Sequence, residues 1–307
     1  MRTLLAFLEG MRPQQWIKNG VILVGVVFAG LAARPDMMLR SIEAAAVFCL
    51  LSGAIYLFND RMDLAGDRRH PVKRLRPLAS GRLPLGFLYA GLPVLVLAAL
   101  AWAWLLGRNF LGIAAAFLLI NLLYSLWMKH QVLLDAFGIA LNFVLRATAG
   151  VAVLAEHLVA GFGPEAGETG SVLLSPWLLV CTFFGSLFLA FAKRRQELLG
   201  LEDPGAHRPV LRLYSRELLD QLVVLSAGAV MLTYALYTLW PSTVARYGVG
   251  FLASNLFVDF GVMRYLFLAY RRDGGADPSE VFLRDRPVAV TVLLWLAYVA
   301  GTIGARG

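Results

Sequence analysis

Charge is scarce in this chain. Of its 307 residues only 16% are Asp, Glu, Lys or Arg, against 59% hydrophobic. A soluble domain of this length needs far more polar surface, so the composition excludes one. Cysteine is nearly absent. Cys49 and Cys181 both fall in apolar runs; they allow no disulfide framework and no metal-spacing motif, and they read as small packing residues. Acid is outnumbered by base, 20 residues to 28, for a net charge of +8. Beside so many apolar runs this excess reads as basic loops next to anionic lipid, and no nucleic-acid partner is expected.

Long uncharged runs are what the chain has instead. About 20 apolar residues cross a bilayer as a helix. By that measure there are about nine spans, near 17–33, 41–59, 85–106, 110–127, 132–154, 173–192, 217–240, 247–270 and 287–305. The first carries Lys18 and Asn19 near its start, lacks a small-residue cleavage pattern and is followed by further spans, so it is not read as a signal peptide. Residues 1–16, mixing Leu, Phe and Trp with Glu9 and Arg12, read as a short interfacial segment. The fold class expected is all-α, a polytopic membrane protein of one domain over 1–307.

Basic residues follow every second span. Arg61, Arg68, Arg69, Lys73, Arg74, Arg76 and Arg82 follow the second, Lys193, Arg194, Arg195, Arg208, Arg212 and Arg216 the sixth, and Arg271, Arg272, Arg284 and Arg286 the eighth. Segment 155–172 has no Lys or Arg. The positive-inside rule then puts the N-terminus and these loops in the cytoplasm, and an odd span count puts the C-terminus outside. The location expected is the plasma (inner) membrane.

The densest chemistry lies where the second span ends, at Asn59-Asp60-Arg61-Met62-Asp63-Leu64-Ala65-Gly66-Asp67. Continued as a helix at about 100° per residue, Asn59, Asp60, Asp63 and Asp67 share one arc, until Pro71 ends the helix. Carboxylates stacked on one face repel each other, and a membrane boundary raises that cost. A cation removes both penalties, and an all-oxygen donor set suits Mg²⁺, which shares itself with substrate phosphates. Asp60 and Asp67 are about 10 Å apart along a helix axis, too far for one ion of ~2 Å ligand distance to touch both. Asn59 and Asp63 are therefore the expected direct ligands, with Asp67 acting through water or a second ion.

Base follows acid directly, at Lys73, Arg74, Arg76 and Arg82. A magnesium diphosphate needs that order: metal for some oxygens, Lys or Arg for the rest. Topological charge bias alone accounts for any one of these residues; their pairing with the carboxylates is the signal. Within the fifth span Asp135, Asn142 and Arg146 fall within about 40° on a helical wheel, a stripe that should face a cavity or make a bundle contact. Lys18, Asn19, Tyr124 and Lys129 sit near span ends, where snorkelling is the bland alternative for the lysines.

At these residues the chain resembles the UbiA-type intramembrane prenyltransferases, whose N-D-x-x-D-x-x-x-D motif it matches at Asn59, Asp60, Asp63 and Asp67. It is most similar to the branch that transfers phosphoribose to polyprenyl (decaprenyl) phosphate, on Arg12-Pro13-Gln14-Gln15-Trp16-Ile17-Lys18-Asn19, on Asn59 through Gly81, on Tyr124 through His130, on Leu145 through Gly150, on Ala192 through Leu198 and on Asp277 through Arg286. The resemblance implies a helical bundle with cytoplasmic active-site loops and Mg²⁺ as cofactor. It implies 5-phosphoribosyl 1-pyrophosphate and polyprenyl phosphate as substrates, for lipid-linked sugar precursors of the cell wall. Membrane lipids are the other expected partners, and a homo-oligomer stays open. Prenyltransferases of aromatic acceptors usually carry a second Asp motif after the sixth helix; here that position reads Lys193-Arg194-Arg195-Gln196-Glu197. The residues implied are Asp60, Asp63 and Asp67 for catalysis, these with Asn59 for metal, and Lys18, Lys73, Arg76, Tyr124, Lys129, Arg146, Lys193 and Arg194 for substrate. The alternatives are a polyprenyl-diphosphate-dependent enzyme acting on a small aromatic acceptor and, in another class, a lipid-carrier transporter.

Overall fold

The computed structural model describes residues 2–162, 175–200, 209–271 and 285–304. Most of the Gly-rich connector 161–170, and the tail run from Asp277 through Arg284, lie outside the described residues. All regular structure among the described residues is helical, as expected. In chain order the helices are α1 (Arg2–Gly10), α2 (Val21–Phe28), α3 (Pro35–Met62), α4 (Leu64–Arg69), α5 (Leu85–Leu106), α6 (Arg108–Leu126), α7 (Leu134–Phe162), α8 (Pro176–Gly200), α9 (Arg216–Leu239), α10 (Pro241–Tyr247), α11 (Asn255–Arg271) and α12 (Arg286–Gly304). Seven described helices are long and apolar enough to cross a membrane; Arg286–Thr302 of α12 is apolar but shorter.

The chain divides into two compact units, Met1–Ser125 with Leu145–Leu173, and Leu126–Val144 with Leu174–Gly307. Helix α7 contributes its first turns to the second unit and the rest to the first.

In the first unit Phe48 of α3 is fully buried, its ring 4.7 Å from that of Phe117 and 5.9 Å from that of Phe110, both on α6. Where lipid is as apolar as the core, such close packing carries the association of helices. The first expected span is not one helix. A 3-10 stretch, Pro13–Gly20, leads into α2, only eight residues long. Gly30, at φ 68, ends α2 in a left-handed turn in which Leu31 N–H reaches back to Val26 O at 3.0 Å. The short helix crosses α7 closely: a Cβ on Gly150 would stand 2.1 Å from the Ile22 carbonyl oxygen, so only glycine fits there.

The interfacial segment forms α1. It buries Ala6 and Phe7 against the first unit and leaves Leu4, Leu5 and Leu8 exposed. Glu9 accepts a forked pair of hydrogen bonds from Arg82 at 2.6 and 2.7 Å. Arg34 makes a similar fork to Asp36 at the start of α3, at 3.3 and 2.7 Å.

In the second unit α8 and α9 pack through Leu187, Phe188, Phe191, Leu219 and Val223, joined by Tyr265 of α11, whose ring lies 5.1 Å from that of Phe188. Large apolar residues such as Leu225 and Leu256 stay exposed on this unit, as do Leu97 and Leu105 on the first. The shortage of charge is thus spent on outward faces suited to lipid.

Candidate functional site

The acidic segment does not continue as one helix to Pro71. Helix α3 ends at Met62, and Asp63, at φ −91 and ψ 4, links it to the six-residue α4. His70 is extended, the conformation a following proline favours, so Pro71 ends the second piece as expected. The junction divides the residues that the helical wheel grouped. Asp60 and Asp67 are buried, each only 3% exposed, while Asp63 is exposed at the turn.

The basic run folds back onto them. Arg76 follows a short 3-10 turn, Lys73–Leu75, and its Nη1 donates to Asp60 Oδ1 at 3.2 Å and to Asp67 Oδ2 at 2.6 Å. One guanidinium nitrogen therefore holds two carboxylates, and their oxygens are no farther apart than those two distances end to end. Arg12 donates a second, very short bond to Asp60 Oδ1, and its guanidinium lies 5.0 Å from the centre of the Tyr56 ring. Arg12 itself has a left-handed backbone, φ 54 and ψ 64, directly before Pro13. Such backbone is unusual for a residue with a side chain and is held only by its surroundings.

Arginine 12 was not among the expected site residues, although it stands in the run that carries the family resemblance. The signal was a lone cation at the end of an apolar segment; nothing local to it names Asp60, 48 residues away, as its partner. Lys73 is half-buried nearby in sequence, and Lys18 is exposed. Also in the first unit, the buried Arg146 donates from Nε to Asn19 Oδ1 at 2.8 Å and lies over the Phe117 ring at 4.7 Å. Asn19 in turn donates to Cys49 Sγ at 3.3 Å. Tyr124 is half-buried.

The remaining expected residues belong to the second unit. Lys129 is half-buried in the 3-10 turn Met128–His130, and Lys193 is exposed near the end of α8. Arg194 is only 1% exposed and donates to Asp135 Oδ2 at 2.7 Å and to Glu197 Oε2 at 2.9 Å. Asp135 and Arg146, one stripe on the wheel, are thus engaged by different partners in different units. Asn142 turns its amide onto its own helix, donating to Gly138 O at 2.8 Å.

Whether the acidic segment suits a magnesium ion is decided by its donors. They are all oxygen, the class Mg²⁺ prefers. The Asn59 Oδ1 atom is buried with no hydrogen-bond partner among the described residues, an acceptor left over beside Asp60. Among the described residues no three His, Cys, Asp or Glu side chains converge as a ligand group; Arg12 and Arg76 hold Asp60 and Asp67 instead. The segment therefore fits the ion in donor chemistry without presenting a closed coordination shell. Mg²⁺ commonly keeps several waters and substrate oxygens, so an open donor set is compatible with it.

Comparison with known proteins shows the family and the fold. The UbiA prenyltransferase family matches residues 20–284. A decaprenyl-phosphate phosphoribosyltransferase of Mycolicibacterium smegmatis is 33% identical, over 97% of this chain and 91% of its own. One from Corynebacterium glutamicum is 33% identical over 94% and 84%. In three dimensions the chain is similar to a UbiA homolog from Archaeoglobus fulgidus, solved bound to GPP and Mg²⁺, with a TM-score of 0.70 over 97% of this chain and 99% of that one. At 16% identity that likeness establishes the fold.

Proposed function

The chain belongs to the UbiA prenyltransferase family and is a multi-pass membrane protein, and on that premise we propose that it transfers 5-phosphoribose from 5-phosphoribosyl 1-pyrophosphate to a polyprenyl phosphate, releasing pyrophosphate. The relatives named for this activity span nearly the whole chain. The observation that carries the reading is the bridge from Arg76 to Asp60 and Asp67: the family's acidic motif is folded together with a cation suited to phosphate. The basic 193–197 stretch, where a second acidic motif would favour an aromatic acceptor, supports the same choice of substrate.

In this reaction the bond from ribose C1 to the diphosphate oxygen breaks and a bond from C1 to a lipid phosphate oxygen forms. Asn59, Asp60, Asp63 and Asp67 would hold Mg²⁺, which when bound supplies neutralisation of the leaving diphosphate. Arg76, Arg12, Lys73 and Lys18 are assigned to phosphate oxygens by charge-assisted hydrogen bonds. Asp60 and Asp67 keep the Arg76 guanidinium oriented before substrate arrives, so little of its freedom remains to be lost on binding. The acceptor phosphate is already ionised and needs no strong general base; positioning and electrostatics do most of the work. Lys129, Lys193 and Tyr124 retain the substrate-binding role their sequence positions suggest. The buried Arg194 is assigned to support of Lys193, and Arg146 to orientation of Asn19.

The test uses purified protein, Mg²⁺, labelled phosphoribosyl pyrophosphate and polyprenyl phosphate, with label followed into the lipid phase. Transfer is expected. No transfer, alongside transfer from a prenyl diphosphate to an aromatic acid, overturns the reading.

A further inference from the structure

The second unit contains a buried network that the proposed reaction does not itself use. Asp135 is 0% exposed at the start of α7. Its Oδ2 takes the Arg194 bond, and its Oδ1 accepts from the Tyr214 hydroxyl at 2.7 Å. The same hydroxyl oxygen accepts from the Leu133 backbone N–H, also at 2.7 Å. Tyr214 is buried and follows the 3-10 stretch Pro209–Leu213, whose Val210 and Leu211 are buried in the unit's core. One phenol thus closes a ring from Leu133 to Asp135, in the unit's interior.

Leu133 is the strained member. Its φ of 68 lies in the left-handed region, which costs any residue with a Cβ. Together with Arg12 it is one of two non-glycine residues with positive φ among the described residues. Strain of this kind persists where surrounding contacts over-determine the backbone, and it concentrates at functional sites. Leu133 ends the short connection that begins after α6 and carries Trp127, the 3-10 turn with Lys129, and Gln131. Gln131 O accepts from Asp135 N–H at 3.2 Å at the start of α7, and nearer α6 the turn is closed by bonds from His130 N–H to Trp127 O and from Gln131 N–H to Met128 O, both at 3.0 Å. Arg194, on the opposite side of Asp135, directly follows Lys193 in sequence.

We propose that Tyr214 is a positioning residue: by holding Leu133 in its left-handed conformation and Asp135 in its buried pair, it fixes the turn that presents Lys129 to a substrate phosphate. The phenol touches no substrate. It acts through Lys129, the expected cation on that turn, and its hydroxyl both donates to Asp135 and accepts from the Leu133 N–H. Phenylalanine preserves the ring and its packing but removes the hydrogen bonds that the hydroxyl makes to Asp135 and from the Leu133 N–H. This inference rests on the proposed function, because it assigns Lys129 a phosphate.

The test measures binding of Mg²⁺ with phosphoribosyl pyrophosphate, and of Mg²⁺ with inorganic pyrophosphate, to the full chain in nanodiscs. Tyr214→Phe is expected to weaken donor binding about tenfold, on the order of what one impaired charge-assisted contact is worth. In the Lys129→Ala background the same change should cost almost nothing, because the group it positions is gone. Leu133→Gly, which adopts the left-handed backbone without strain, should bind nearly as wild type does and lessen the cost of Tyr214→Phe. Leu133→Pro, which excludes a positive φ and removes the N–H that Tyr214 accepts, should show the same non-additivity with Lys129→Ala and keeps the test available should Tyr214→Phe fail to fold. Losses that simply add to that of Lys129→Ala, or Tyr214→Phe and Leu133→Pro proteins that bind as wild type does, overturn this proposal and leave the function standing. A wild type that binds neither ligand overturns the function and this proposal together.

Discussion

Arg76→Ala is the most informative single change at the acidic segment. It removes one guanidinium from two buried carboxylates, at 3.2 and 2.6 Å. Breaking a fully buried ion pair costs about 3–5 kcal/mol. The Arg76 side chain is 28% exposed, so water screens part of the loss. Asp60 keeps Arg12, so the larger deficit falls on Asp67. These considerations put the loss near 2 kcal/mol, within the range of about 1.5–3 kcal/mol for hydrogen bonds to charged groups. For a chain of this size that is a fall of roughly 4 °C in unfolding temperature. The assay is thermal unfolding in detergent with EDTA and again with millimolar Mg²⁺. A divalent cation able to occupy the carboxylates should recover part of the loss in the variant and stabilise wild type less. Arg76→Lys, with one point charge in place of a planar fork, should fall between. An Arg76→Ala protein as stable as wild type in EDTA, or stabilised by Mg²⁺ no more than wild type, would refute the view that Arg76 balances charge at a cation site.

Asp63→Ala should abolish transfer while leaving the unfolding temperature within a degree or two, since Asp63 is exposed at the α3–α4 junction; full activity removes it from the metal assignment. Arg12→Gln should weaken donor binding and also loosen the Asp60 end of α3, read as faster hydrogen exchange there; unchanged binding would leave Arg12 a packing residue. Arg146→Ala frees Asn19 and should raise KM for one substrate, whereas lower stability with KM unchanged assigns it to packing. The Arg82 fork holds the Glu9 carboxyl below its usual range. A depressed acid stabilises above its unfolded value, about 4.3, and that contribution is lost as pH falls through the folded value. Protection of α1 amides from hydrogen exchange, taken relative to the intrinsic rate at each pH, should therefore fall as the medium is acidified below about pH 4, and Glu9→Gln should flatten that dependence.

Much of this protein is local, and what is local could be read from the chain. Apolar runs 20 or so residues long mark helices without reference to any partner, because a span satisfies its own backbone hydrogen bonds. Pro71 stops α4 for a reason contained in proline itself. The adjacency of Asn59–Asp67 to Lys73–Arg82 is covalent, so the nearness of acid to base was legible before any folding. Helical projection, in contrast, assumed one straight helix and placed Asp60, Asp63 and Asp67 on one face. The turn at Asp63 separates them, because tertiary contacts from Arg76 and Arg12 draw Asp60 and Asp67 inward and leave Asp63 outside.

The sequence by itself determined the all-helical membrane fold, the acidic motif and the cations beside it, since periodicity, hydropathy and motif spacing are properties of neighbouring residues. Only the tertiary structure decided which cation meets which acid. Arg12 reaches Asp60 across 48 residues, Arg194 reaches Asp135 across 59, and Tyr214 reaches Asp135 across 79. A helical wheel reports which way a side chain faces, but the partner on that side is chosen by packing. Buried charges must be paired wherever packing puts them, and that is why Arg194, a cation that looked available in the sequence, is held in the interior.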